Sequence, residues 1–138
     1  MTPERMDTAS SSSEPWSVHK FGGTSLATPD RIRHVSSLIA QRDDASIGSP
    51  PTAVVVSAMG GVTDRLLDLV DTAPRNGDAF HEQLQGLREE QRAVVTELLS
   101  EDEAAPLLRA LDDDVEDVDD LLRATHLMQT APDTARCS

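Results

Sequence analysis

The chain has 138 residues, of which 38% are hydrophobic and 2% aromatic, and carries a formal charge of −13 from 25 acidic and 12 basic residues. That length holds one domain or a piece of one. The charge argues against nucleic acid and against an anionic membrane surface as partners, because both are bound through a basic face.

Trp16, Phe21 and Phe80 are the aromatic residues, so the core must be built from Leu, Val, Ile, Ala and Met. An acidic surface with a single lysine suits a high-salt medium, where ions screen self-repulsion. Cys137 is the one cysteine and has no internal partner. No metal-ligand cluster surrounds it. The first seventeen residues lack the apolar stretch of a signal peptide, and no run is long enough to span a membrane. A cytoplasmic location fits these features.

Residues 1–15 are polar and include the run Ser10–Ser13, which predicts a disordered leader. The domain is then expected over 16–138. Trp16 to Phe21 reads as a first strand. It ends in Lys20-Phe21-Gly22-Gly23-Thr24-Ser25, and Lys20 is the only lysine in the chain. Adjacent glycines let a backbone approach an anion closely, and their N–H groups can converge on phosphate oxygens. A lysine adds a compact, mobile charge. This is a candidate phosphate site, although G-x-x-x-x-G-K-[ST] and G-x-G-x-x-G are both absent. Taken alone, Gly-Gly is more often an ordinary turn beside a solvated lysine.

Thr28-Pro29-Asp30 opens a helix: Thr28 can cap, Pro29 suits the first helical position, and Asp30 favours the positive end. Ile32, Val35, Leu38 and Ile39 follow at helical spacing to about Gln41. His34 on this helix reads as a surface or boundary residue. Arg42 to Pro51 is a loop with strong turn chemistry in Gly48-Ser49-Pro50-Pro51. Thr52 to Val56 is a second strand whose continuous apolar centre suits burial on both faces. Strand, helix, strand is a βαβ unit with parallel strands, expected to be right-handed. Ligands of such units bind beyond the carboxyl ends of the strands. Both the 20–25 loop and the 57–63 loop lie at those ends. Ser57 can reach a ligand there, Met59-Gly60-Gly61 is a second flexible turn, and Thr63-Asp64 is the expected cap of the next helix. Thr63 can serve as a simple cap or at a ligand-binding helix terminus.

In that next helix, Leu66, Leu67 and Val70 are expected to form the buried face. Pro74 and Asn76-Gly77 break it. A long helix comes next, over roughly 78–99, with Leu84, Leu87, Val94, Val95, Leu98 and Leu99 in phase. Ser100 to Glu103 reads as the cap of a last helix, with Pro106 in about its first turn. Leu107, Leu108, Leu111, Val115, Val118, Leu121, Leu122 and Met128 trace a further stripe. The acidic residues between them, Asp112-Asp113-Asp114, Glu116, Asp117, Asp119 and Asp120, lack the glycine and spacing of a calcium loop. They read as a solvated helix face. No metal site is expected.

Two stretches together carry a resemblance. Lys20-Phe21-Gly22-Gly23-Thr24-Ser25-Leu26-Ala27 resembles the opening signature of aspartate kinases, members of the amino acid kinase superfamily. Val54-Val55-Val56-Ser57-Ala58-Met59-Gly60-Gly61-Val62-Thr63-Asp64 resembles their second signature. The helical stretch from about His81 to Met128 resembles the insertion of bifunctional aspartokinase–homoserine dehydrogenases. The resemblance implies an α/β fold: part of an amino-acid-kinase αβα sandwich, with an N-terminal βαβ unit followed by a helical segment. It implies ATP, with Mg2+ carried on it, and L-aspartate as ligands. Lys20 would hold the phosphates and the transferred phosphoryl group. Gly22 and Gly23 would offer N–H groups, Thr24 and Ser25 hydroxyls, and Ser57 and Thr63 would hold aspartate. The parent enzyme would be a homo-oligomer.

The family continues into a Gly-Glu motif and a nucleotide-binding half-sheet, and this sequence contains no Gly-Glu pair. The expectation is therefore the N-terminal part of a kinase domain, truncated, inactive and poorly folded alone. A non-catalytic or split-enzyme binding module, and a kinase for another small acid, stay open.

Overall fold

The structure is a computed structural model and describes residues 15–43 and 50–130. The expectations for the leader, for most of the 42–51 loop, and for the tail with Cys137 fall outside those residues. Two strands, β1 (Ser17–Phe21) and β2 (Thr52–Val56), flank helix α1 (Pro29–Asp43) in the chain. They pair in parallel, with Ser17 opposite Thr52 and Phe21 opposite Val56. The βαβ unit is therefore present, within a mixed α/β architecture. A single 3-10 turn, Gly23–Leu26, joins β1 to α1. Thr28 caps α1 as the sequence predicts, its Oγ1 accepting the Arg31 N–H at 3.3 Å.

Three further helices complete the order: α2 (Val62–Thr72), α3 (Ala79–Leu98) and α4 (Glu101–Thr130). The buried core lies among them: Leu69 and Ala73 from α2 and its end, Phe80 and Leu84 from α3, and Leu122 from α4, flanked by Val115 and Val118. This corrects the expected face of α2. Leu66, Leu67 and Val70 are all exposed, and Leu69 is the buried residue. The position of α3 decides which stripe is covered, and several stripes of α2 are apolar enough to serve.

A second correction concerns β2. Val54, Val55 and Val56 are 38%, 48% and 58% exposed rather than buried on both faces. A central parallel strand needs a neighbour on each edge and a layer on each face, and among the described residues the sheet has two strands. Along β1 burial alternates: Ser17, His19 and Phe21 are half-buried, whereas Val18 and Lys20 are exposed. Since side chains alternate across a strand, Lys20 stands on the open face with Val18 and its register partner Val55.

The acidic stretch of α4 is only partly a solvated face. Asp112 accepts hydrogen bonds from Arg88 Nε at 2.8 Å and Arg92 Nη1 at 2.9 Å, which ties α4 to α3. Asp119, whose side chain is 14% exposed, pairs with His81 at 2.8 Å and with Arg123 at 2.7 Å. Asp113, Asp114, Glu116, Asp117 and Asp120 face solvent as expected. Helix α4 starts on Ser100, whose backbone N–H donates to Glu103 Oε2 at 3.1 Å. Pro106 stands in the second turn of this helix rather than the first.

Candidate active site

The two glycine loops leave neighbouring strands at the same end of the sheet. The Ser57 N–H donates to the Phe21 carbonyl at 3.1 Å, which carries the pairing one step past the last strand residues. Beyond that bond the loops meet backbone to backbone. A Cβ on Gly23 would lie 3.4 Å from the Ala58 carbonyl oxygen and 3.5 Å from Gly60 Cα. One on Gly60 would lie 3.2 Å from both the Gly23 carbonyl oxygen and Ala27 Cβ. A Cβ on Gly23 would sit in ordinary van der Waals contact, whereas one on Gly60 would make its neighbours give by a few tenths of an ångström, so glycine eases the approach at Gly60. Gly61 has a different reason: its φ of 83° lies in the left-handed region, which costs most other residues about 1–2 kcal/mol.

Gly61, rather than Thr63, precedes the first residue of α2, and no side chain caps that end. Thr63 is the second helical residue and is exposed. The expected Thr63-Asp64 cap is thus replaced by a glycine turn, in which the Val62 N–H bonds the Met59 carbonyl and the Arg65 N–H bonds the Gly61 carbonyl, both at 3.1 Å. The first N–H groups of a helix have no intrahelical partner, and the exposed Thr63 lies in that first turn. The Ser57 hydroxyl donates to the Ala58 carbonyl at 2.8 Å, turned onto its own loop.

Lys20, Gly22, Thr24, Ser25, Ser57 and Thr63 are all exposed. Each lies on the surface, and Thr24 and Ser25 share a shallow cleft with Phe21, Arg31 and His34. Open space faces Gly22, where an added Cβ would meet no atom within 4 Å. Lys20 is one residue before the end of β1. Among the described residues no group of three His, Cys, Asp or Glu side chains is placed to hold a metal ion. No helix among them is long and apolar enough to cross a membrane.

Sequence reasoning missed Arg31. Its guanidinium donates to the Thr24 carbonyl inside the first glycine loop. The signal for it was its place at the third position of a helix with a strong cap, where side chains point back towards the preceding loop. Arg33 on the same helix reaches the far end of α3, donating to the Glu97 carbonyl at 2.9 Å.

Comparison with known proteins agrees with this geometry. The amino acid kinase family matches residues 15–126. The chain is 37% identical over 114 residues to the chloroplastic bifunctional aspartokinase/homoserine dehydrogenase 1 of Arabidopsis thaliana, which covers 83% of this chain and 12% of that protein. It is 40% identical over 73 residues to the aspartokinase of Chlamydia pneumoniae, covering 53% of this chain and 15% of that protein. Bifunctional aspartokinase/homoserine dehydrogenase 2 of Escherichia coli (strain K12) is 31% identical over 99 residues, or 72% of this chain and 12% of that protein. The chain thus spans a small part of the length of the curated relatives it matches. With the parallel βαβ unit and its two packed glycine loops, the match over residues 15–126 makes the chain a member of the amino acid kinase family.

Proposed function

We propose that this chain is the N-terminal part of an aspartate kinase domain. The parent enzyme transfers the γ-phosphoryl group of ATP to the side-chain carboxylate of L-aspartate. A carboxylate oxygen forms the new bond to phosphorus, the bond to the β,γ-bridging oxygen breaks, and 4-phospho-L-aspartate and ADP result. The observation that supports this reading is the close packing of Gly23 against Gly60, which joins the two signature loops at one end of a parallel strand pair.

The chemistry explains the residue types. Attack of a carboxylate on the γ-phosphorus of a phosphoanhydride brings two anions together, so catalysis depends on positive charge and oriented donors. Lys20 supplies the charge and follows the phosphoryl group. Gly22 and Gly23 present N–H groups to the phosphates, and Thr24 and Ser25 add hydroxyls. Ser57 and Thr63 bind aspartate, Ser57 by turning its hydroxyl from Ala58 to the substrate. Mg2+ arrives with ATP as part of that substrate. The exposed Val18, Val54, Val55 and Val56 are the surface that the rest of the parent domain covers, so the 138 residues alone are expected to turn over negligibly. The parent is a homo-oligomer in this reading. A cytoplasmic location fits it, and the chloroplastic names of the plant relatives make the plastid the competing compartment, which cell fractionation separates.

The test is an aspartyl-hydroxamate assay on this chain fused to the remaining catalytic-domain sequence of the Escherichia coli relative. Turnover with ATP, Mg2+ and aspartate is expected, and Lys20→Ala should lower kcat by about a hundredfold or more, the usual loss for one electrostatic contributor. A Lys20→Ala enzyme running at the parent rate would sink the assignment. ADP release with glutamate, carbamate or uridylate in place of aspartate separates aspartate from the substrates of a differently specialised kinase. Binding without turnover in the fusion would favour a non-catalytic module.

A further inference from the structure

The Thr24–Ser25 segment of the turn is held at two points. The Ser25 N–H donates to the Gly22 carbonyl at 3.0 Å. The Thr24 carbonyl accepts from the Arg31 guanidinium. These two groups belong to one peptide unit, which is planar and rigid, so fixing both of its polar ends fixes its rotation. That rotation sets the directions in which the Thr24 and Ser25 side chains leave the turn.

The reach of Arg31 follows from local structure. The Thr28 hydroxyl caps α1 by accepting the Arg31 N–H at 3.3 Å, which starts the helix directly after the 3-10 turn. Cα–Cβ bonds in a helix tilt towards its N-terminus, so a long side chain at the third helical position runs back over the loop before it. A guanidinium is planar, permanently charged and rich in donors, which suits it to a backbone carbonyl at an exposed site. Lysine would offer the charge without the fixed fork.

We infer that Arg31 is a positioning residue for the phosphate-binding turn, holding the Thr24–Ser25 peptide so that both hydroxyls and the neighbouring glycine N–H groups face the ligand. This rests on the kinase reading of that turn. Arg31 itself does not touch the reacting atoms; it acts through the Thr24 carbonyl. The same contact brings a second fixed positive charge to the turn besides Lys20, and its removal therefore weakens the hold on phosphates before it slows the chemistry.

Two measurements test this. In the full 138-residue chain, amide exchange at Ser25 followed by NMR should quicken about tenfold in Arg31→Ala, the factor that corresponds to loss of one hydrogen bond to a charged group. Arg31→Lys should recover part of the protection, and Arg33→Ala, which loses the contact to Glu97 instead, should leave Ser25 unchanged. In the fused kinase, Arg31→Ala should raise KM for ATP about tenfold with kcat within about threefold, the pattern of lost ground-state binding. Ser25 exchange and KM for ATP both at parent values in Arg31→Ala, while Lys20→Ala abolishes turnover, would overturn the positioning role and leave the kinase reading intact. Undiminished turnover in Lys20→Ala would instead overturn the kinase reading, and the positioning role with it.

Discussion

The helical half and the strand half of this chain satisfy themselves to different degrees. The helices α2, α3 and α4 enclose their own core, with Leu69, Phe80 and Leu84 each 2% exposed and Ala73 fully buried. They are cross-braced by Arg88 and Arg92 on Asp112, by His81 on Asp119, and by Arg65 on Glu90. His126 adds a bond from Nδ1 to the Ala73 carbonyl at 2.9 Å, which pins the end of α4 to the turn after α2. The strand pair carries the signature loops yet leaves its valines in water. The buried core thus lies mainly in the helical segment, while the two strands that carry the glycine loops leave their apolar face exposed. The two halves meet through Arg33 of α1 on Glu97 of α3.

The contrast predicts unequal responses to mutation. Leu84→Ala should cost the largest amount, about 2–5 kcal/mol, the usual range for a truncated buried leucine. Urea unfolding followed by helical circular dichroism measures it, and a loss near zero would mean that the helices do not share one core. Ser100→Ala removes the hydroxyl that donates to Glu103 Oε2 at 2.7 Å at the start of α4 and should cost about 1 kcal/mol in the same assay. Val55→Ser should change the stability of this chain by less than about 0.5 kcal/mol, the norm for exposed positions, but should cost clearly more in the fused kinase. Equal losses for Val55→Ser in both settings would remove the distinction between the halves.

Acid should also act on the helical half. Burial pushes the Asp119 carboxyl up, but the hydrogen bonds from His81 and Arg123 outweigh it and hold the group below its ordinary 3.8. The hydrogen bond from Arg88, helped by Arg92, does the same for Asp112. Carboxyls with lowered folded values bind protons more readily when unfolded, so their contribution is complete above about pH 4 and fades as pH falls below it. Melting temperature should start to drop as pH falls below about 4 and keep dropping through the lower folded values, and Asp119→Asn should flatten that drop. A slope unchanged in Asp119→Asn and Asp112→Asn would mean that these pairs do not brace the helices.

Much of the strand half was legible in the sequence. Thr28-Pro29-Asp30 announced α1 through local capping chemistry, and the run Ala53-Val54-Val55-Val56 announced β2. Lys20 before Gly22-Gly23 marked the candidate phosphate turn, and Gly60-Gly61 marked the second. These signals act over a few residues, so the local sequence carries them. The helical half was legible as helices but not as faces. Leu66, Leu67 and Val70 were as good a stripe as the one centred on Leu69, and only the seat of α3 against α2 selected between them.

Sequence by itself therefore determined the elements, their order, the parallel βαβ connection and the residues of both loops, because backbone propensity, capping and glycine freedom are local. Tertiary structure alone decided that Gly23 lies against Gly60, that Asp112 and Asp119 turn inward among acidic neighbours that do not, that Arg31 holds the Thr24 carbonyl, and that β2 stays uncovered. Each of these depends on which distant surface is present to pack against, and no pattern within one element encodes that.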